Sequence, residues 1–224
     1  VSPSRLTTAR VSLIALAAVT AVVYSGWMME AFLPNGVDPL MSFASELAAR
    51  TEPHGDLFAR LDTVSGTLLV VLGALSAALT WRGGVTWGSA AVPAGFWVWG
   101  AATIADSIFR MPTVTTVGPG ASATLSDAEK TDVLVHSICS STAAVGMALV
   151  GVGLWLLGRR VLAGVFLALL AAVAVTSGLN EFGGPNLWLG LWQRLSLAVG
   201  VVAIVSVARA ISAAAAVTAR REAS

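Results

Sequence analysis

Long apolar runs alternate with short polar breaks along the whole chain. Six segments, approximately 10–30, 61–80, 88–108, 130–157, 161–180 and 187–209, are apolar over close to the roughly 20 residues that a membrane-crossing helix needs. The fourth and fifth are separated only by "GRR", which predicts a tight helical hairpin, and "WRGGVTW" joins the second and third. The first run follows Arg5 and Arg10 and extends to Met29. It reads as a retained spanning helix, because "AVVYSGW" is a poor small-residue site for signal cleavage. The expected architecture is an all-α membrane protein, with residues 1–224 forming one six-helix up-down bundle.

Two connections at one end are long. In the first, about 31–60, Asp38 can cap a helix with Pro39 at its first position. Leu40, Phe43 and Leu47 then recur at helical spacing, predicting a short amphipathic helix on the membrane or over the bundle, ended by Pro53 and Gly55. The second, about 110–129, is rich in Thr, Ser, Gly and Pro and closes with "SDAE", Ser126 to Glu129. That is a capping-box pattern, and it starts the fourth helix near Asp127.

Composition supports the membrane reading. The chain is 56% apolar and 11% charged, with a mean hydropathy of +0.82, whereas soluble domains carry about 25% charged residues. Positive charge orients the bundle: eight Arg lie at the end with the termini and five Arg or Lys at the other, so both termini are expected in the cytoplasm. Eleven of the twelve acids and both histidines then fall on the outer side, and polar chemistry is expected to face away from the cytoplasm. A net charge of +1 gives no case for nucleic acid as a partner. Cys139 is the only cysteine, which excludes an intrachain disulfide and a thiolate metal cluster.

Ionisable groups near hydrocarbon are costly and need partners. The candidates are Glu30, Asp62 and Asp106 at helix ends, Asp132 and His136 on helix four, and Glu181, Gln193 and Arg194 around the start of helix six. In an up-down bundle all of them reach one level, where they form a funnel. Arg194 needs a carboxylate; Glu181 is the nearest in sequence, with Asp62 and Asp106 as alternatives, and it serves either as a structural ion pair or as an anion anchor. Asp132 and His136, four residues apart, share a helix face. They read either as an interhelical hydrogen-bond hub or as a catalytic acid/base or metal-binding pair, and with Asp62 and Asp106 added a metal would have oxygen and nitrogen ligands. Ser42, Ser45 and Glu46 sit on the expected amphipathic helix over the bundle, and Glu46 joins Arg194, Glu181 and Gln193 as a candidate binding residue. No metal site and no cofactor are assigned.

The ordered motifs "SELAA" (45–49), "LFARLDTVSG" (57–66), "ADSIFRMP" (105–112), "LVHSICSS" (134–141) and "GLWQRLS" (190–196) resemble the bacterial membrane family called domain of unknown function 998. That family is similar in having about six spans, an Asp followed by a Phe-Pro-like turn after helix three, and a His early in helix four. The matching positions are Asp106, Phe109 with Pro112, and His136; Arg110 and Met111 separate the Phe from the Pro, which departs from the pattern. The resemblance spans about residues 10–210 and implies the fold, without an activity. Membrane hydrolases of the alkaline-ceramidase type are a more distant comparison, and with two histidines a three-histidine zinc site is excluded within one chain. Integral-membrane terpene cyclases share only the presence of acids.

The sequence thus leads to a small multi-pass protein whose outward polar cavity binds a membrane lipid or isoprenoid-like hydrophobic molecule. The alternatives are a membrane-embedded acid/base enzyme, a cyclase or hydrolase on a hydrophobic substrate, and a structural or regulatory subunit that packs on a membrane-protein partner or on its own copies.

Overall fold

The computed structural model describes residues 3–81, 87–116 and 125–223. Arg82 lies outside the described residues, as do the side chains of Arg5, Arg220, Arg221 and Glu222. Six α-helices are described: α1 (Pro3–Tyr24), α2 (Gly55–Thr80), α3 (Trp87–Ile108), α4 (Asp127–Leu156), α5 (Arg160–Glu181) and α6 (Leu189–Ala223). A 3-10 segment, Ser25–Ala31, continues α1, and another, Ala44–Ala48, lies in the first long connection. Among the described residues there is no strand.

Five of the helices are long and apolar enough to cross a membrane: Leu6–Ala31, Gly55–Thr80, Asp127–Leu156, Arg160–Glu181 and Leu189–Thr218. The protein is therefore a multi-pass membrane protein. The exception is α3, which carries Pro93 within the helix. Its place explains the composition. It packs most extensively against α2 and α4, and its Val92, Phe96 and Trp99 are fully buried. A helix facing protein rather than lipid is free to use small residues for close approach. A Cβ on Gly66 of α2 would stand 2.6 Å from the carbonyl oxygen of Gly100 on α3, and one on Gly95 would stand 2.8 Å from that of Gly146 on α4. Glycine is the residue that these two crossings admit.

Each helix packs on the next in sequence, and α1 closes the ring on α6. Arg10 bonds Ser212 near one end of α1 and Glu30 bonds Arg194 near the other, so the two run antiparallel. Leu13, Leu72, Phe96, Leu154, Phe166 and Ile204 bring all six helices into one core. A smaller cluster of Val37, Leu47, Ala48, Phe58 and Ala59 lies under the first long connection. That connection roofs the bundle end that charge distribution assigns to the outside.

Several boundaries differ from those read in the sequence. The helix expected after Asp38 is reduced to one turn and the 3-10 segment. The cap itself forms, with Asp38 Oδ1 accepting from the amides of Leu40 at 2.8 Å and Met41 at 3.1 Å. Beyond it, Phe43 is extended, and α6 supplies the missing bonds: Gln193 Oε1 accepts from Ala44 N, and Arg194 donates to Ser42 O. Tertiary hydrogen bonds here replace the helical ladder. At the start of α2, Gly55 rather than residue 61 begins the helix, which puts Asp62 roughly 10 Å along it instead of at its start. At the start of α4 the capping box is present in both directions, and the helix begins at Asp127 as expected. Gly158, at φ +81°, makes the left-handed turn between α4 and α5.

Candidate functional site

The polar residues of the roofed end separate into three groups. The first is centred on Arg194, one and a half turns into α6 and 7% exposed. Its Nε and Nη2 donate to the two carboxylate oxygens of Glu30 at 2.7 and 2.6 Å, a bidentate pair. Nη1 donates to the carbonyls of Ser42 at 2.8 Å and Gly190 at 3.3 Å. The partner is Glu30 rather than Glu181, Asp62 or Asp106. Glu181 is exposed at the end of α5, whereas the Ser25–Ala31 segment carries Glu30 beside α6. The information needed was the closure of α1 on α6, which sequence distance hides. With its donors engaged inside the fold, Arg194 has a structural role, and so does Gln193 through Ala44.

The second group fastens the roof. Glu46, 1% exposed, accepts from the amides of Thr115 at 2.7 Å and Thr116 at 3.1 Å, and from both threonine hydroxyls. Arg110 Nε donates to Ala48 O at 2.6 Å, and its Nη1 pairs with Asp56 at 2.5 Å. Arg110, which interrupts the family-like Phe-Pro turn, is thus a staple between the end of α3 and the first long connection. Asp132 pairs with Arg50 at 2.7 Å, with both side chains partly exposed. It therefore belongs to the roof, although it shares a helix face with His136.

The third group lies between α2, α3 and α4. His136 is 5% exposed. Its Nδ1 lies 3.1 Å from the carbonyl oxygen of Phe109 and 3.1 Å from Asp106 Oδ1. A carbonyl can only accept, so Nδ1 carries the hydrogen. Nε2 is buried without a hydrogen-bond partner among the described residues. Asp106 Oδ1 also accepts from Ser140 Oγ at 3.0 Å. Thr63 of α2 and Ser107 of α3, the sequence neighbours of Asp62 and Asp106, share a hydrogen bond of 2.8 Å. Tyr24 OH accepts from Trp99 Nε1 at 3.1 Å, and the two rings meet edge to face with centroids 4.9 Å apart. Among the described residues Asp62 has no hydrogen-bond donor, and neither Asp62 nor Asp106 pairs with a Lys or Arg.

Of the four expected acid/base residues, Asp106 and His136 are brought into contact, Asp62 makes no bond to either, and Asp132 pairs with Arg50 instead. Asp106, not Asp132, orients the imidazole. Ser140, Tyr24 and Trp99 complete the surroundings; Ser140 was visible in "SICSS", whereas Tyr24 was hidden in the apolar run of α1. No group of three or more His, Cys, Asp or Glu among the described residues is placed to hold a metal ion. Two shallow grooves open instead on outer faces, one along α4 at Ser137, Ile138, Ser141, Thr142 and Val145, the other along α1 at Ala18, Val19, Val22 and Val23.

Neither a curated protein nor a solved structure matches the chain. A family model described as "protein of unknown function (DUF998)" matches residues 15–210, a range that contains all three polar groups. The chain belongs to the DUF998 family of proteins of unknown function.

Proposed function

We propose that the Asp62/Asp106/His136 cluster binds the polar end of a lipid or isoprenoid-like hydrophobic molecule whose tail lies along the bundle. The observation that carries this reading is the buried, unpartnered Nε2 of His136, a ring whose Nδ1 lies 3.1 Å from Asp106. Unpaired polar atoms at membrane depth cost free energy, and a ligand that bonds them removes that cost. The roof of residues 32–54 closes the end above, which favours lateral approach from the bilayer over approach from water.

The test is native mass spectrometry of the detergent-purified protein. The wild type should retain a co-purified amphiphile, and Asp106→Asn and His136→Ala should lose it while circular dichroism shows unchanged helix content. Identical amphiphile retention in all three proteins refutes the reading. A second reading, acid/base catalysis on the same molecule, is favoured by one feature: Asp106 and Phe109 O orient the imidazole as a general base requires. It adds the expectation of turnover with a bell-shaped pH profile that Asp106→Asn abolishes.

A further inference from the structure

We infer that the turn between α4 and α5 docks an anionic phospholipid, with the head group on Arg159 and Arg160 and the acyl chains along the two helices. This site is independent of the Asp62/Asp106/His136 cluster, which lies toward the other end of the bundle. From His136 to Leu156, α4 rises roughly 30 Å. Arg159 and Arg160 are adjacent in sequence and both exposed, and neither side chain makes a hydrogen bond or ion pair among the described residues. Apolar groups flank them: Trp155 and Leu156 of α4 and Val161 of α5 are 47%, 53% and 84% exposed. The Trp155 ring reaches across to α5, where a Cβ on Gly164 would stand 3.8 Å from it. Paired guanidiniums beside exposed apolar side chains, where two spanning helices end, match an amphiphile with an anionic head.

Charge around the turn is of one sign. At this end, which holds both chain termini, the cations with described side chains are Arg10, Arg159, Arg160 and Arg209, and no acid is described there. Eleven of the twelve acids belong to the roofed half, and the twelfth, Glu222, has no described side chain. Arg10 is engaged, its Nε donating to Ser212 O at 2.8 Å. Arg209 is exposed and unpaired, but no second cation adjoins it in sequence. Arg60, exposed and unpaired at the roofed end, has Asp56 one turn before it, which weakens its attraction for an anion. In contrast, α5 opens on cations where the helix dipole favours acids, and its first turn contains no acid. The fold thus sets two like charges together without a counter-charge. An anionic head group supplies one; a zwitterionic head brings no net charge.

Dioleoylphosphatidylglycerol and dioleoylphosphatidylcholine share their tails and their phosphate, so competition between them reports net head-group charge. An equal mixture is presented to the detergent-purified full-length protein and read by native mass spectrometry. The wild type should retain the glycerol lipid over the choline lipid. The double variant Arg159→Gln/Arg160→Gln, with helix content unchanged by circular dichroism, should reduce that preference about tenfold or more, as expected for two basic side chains at a lipid surface. Arg60→Gln and His136→Ala should leave it in place. No preference in the wild type overturns the docking site, and a preference that survives in the double variant overturns its assignment to the turn. An equal loss in Arg60→Gln or Arg209→Gln makes net charge the cause and overturns it too. Loss of the preference in His136→Ala puts the lipid at the other end of the bundle, with the same consequence.

Discussion

Replacing Arg194 by Ala tests the most completely engaged polar side chain in the protein. Its guanidinium makes two charge-assisted bonds to Glu30, at 2.7 and 2.6 Å, and reaches two backbone carbonyls. Both side chains of the pair are about nine-tenths buried. Bonds to charged groups contribute about 1.5–3 kcal/mol each in net terms. The larger effect is the Glu30 carboxylate, left buried with no donor, and breaking a buried pair from one side costs about 3–5 kcal/mol. Replacing both partners by leucine avoids the stranded charge and should recover most of that loss. Arg50→Ala is the control: its pair with Asp132 is partly exposed on both sides and contributes about 0–1 kcal/mol. Unfolding in mixed micelles, titrated with dodecyl sulfate and followed by circular dichroism, measures all three variants against the wild type. If Arg194→Ala destabilises no more than Arg50→Ala, or if the double leucine variant is no better than Arg194→Ala, the pair is not the buried clamp described here.

Two further substitutions probe the packing and the roof. A Cβ at Gly146 would run into the backbone of Trp99 and the carbonyl of Gly95, so Gly146→Ala should cost about 1–3 kcal/mol in the same unfolding assay, and a neutral result would mean that α3 and α4 separate easily. Glu46→Leu strands the amides of Thr115 and Thr116, so their hydrogen exchange should accelerate about tenfold or more while the helices of the bundle keep their protection; unchanged exchange would remove Glu46 from the role of roof fastener.

Helices were legible in the sequence and their ring closure was not. Apolar runs, the Ser126 capping box and the "GRR" break locate α4 and α5 because each signal is local. The 3-10 segment at Ala44–Ala48 is different. Leu40, Phe43 and Leu47 carry helical spacing, but Gln193 and Arg194, about 150 residues away, take the backbone groups that a helix would have used. Arg194 itself was recognisable as a buried cation in want of an acid. Which acid depends on the closure of α1 on α6, and periodicity within one helix carries no record of that. The same limit hides the partner of His136: spacing gives the face that Asp132 shares with it, while the crossing of α3 and α4 brings Asp106 nearer.

Several polar residues at the roofed end sit where burial is expensive, but they do not all return stability for it. Arg194, Glu30, Gln193, Glu46 and Arg110 each join segments far apart in sequence, and their polar atoms meet partners inside the fold. Folding alone accounts for their presence. Asp62, with no donor among the described residues, joins nothing; a leucine there would pack against the same neighbours without a carboxylate to desolvate. His136 spends one nitrogen on the end of α3 and leaves the other unpaired. A side chain that lowers stability without contributing a contact is accounted for by something the protein does rather than by how it folds. That distinction is the reason for proposing the site at Asp62, Asp106 and His136 rather than at Arg194.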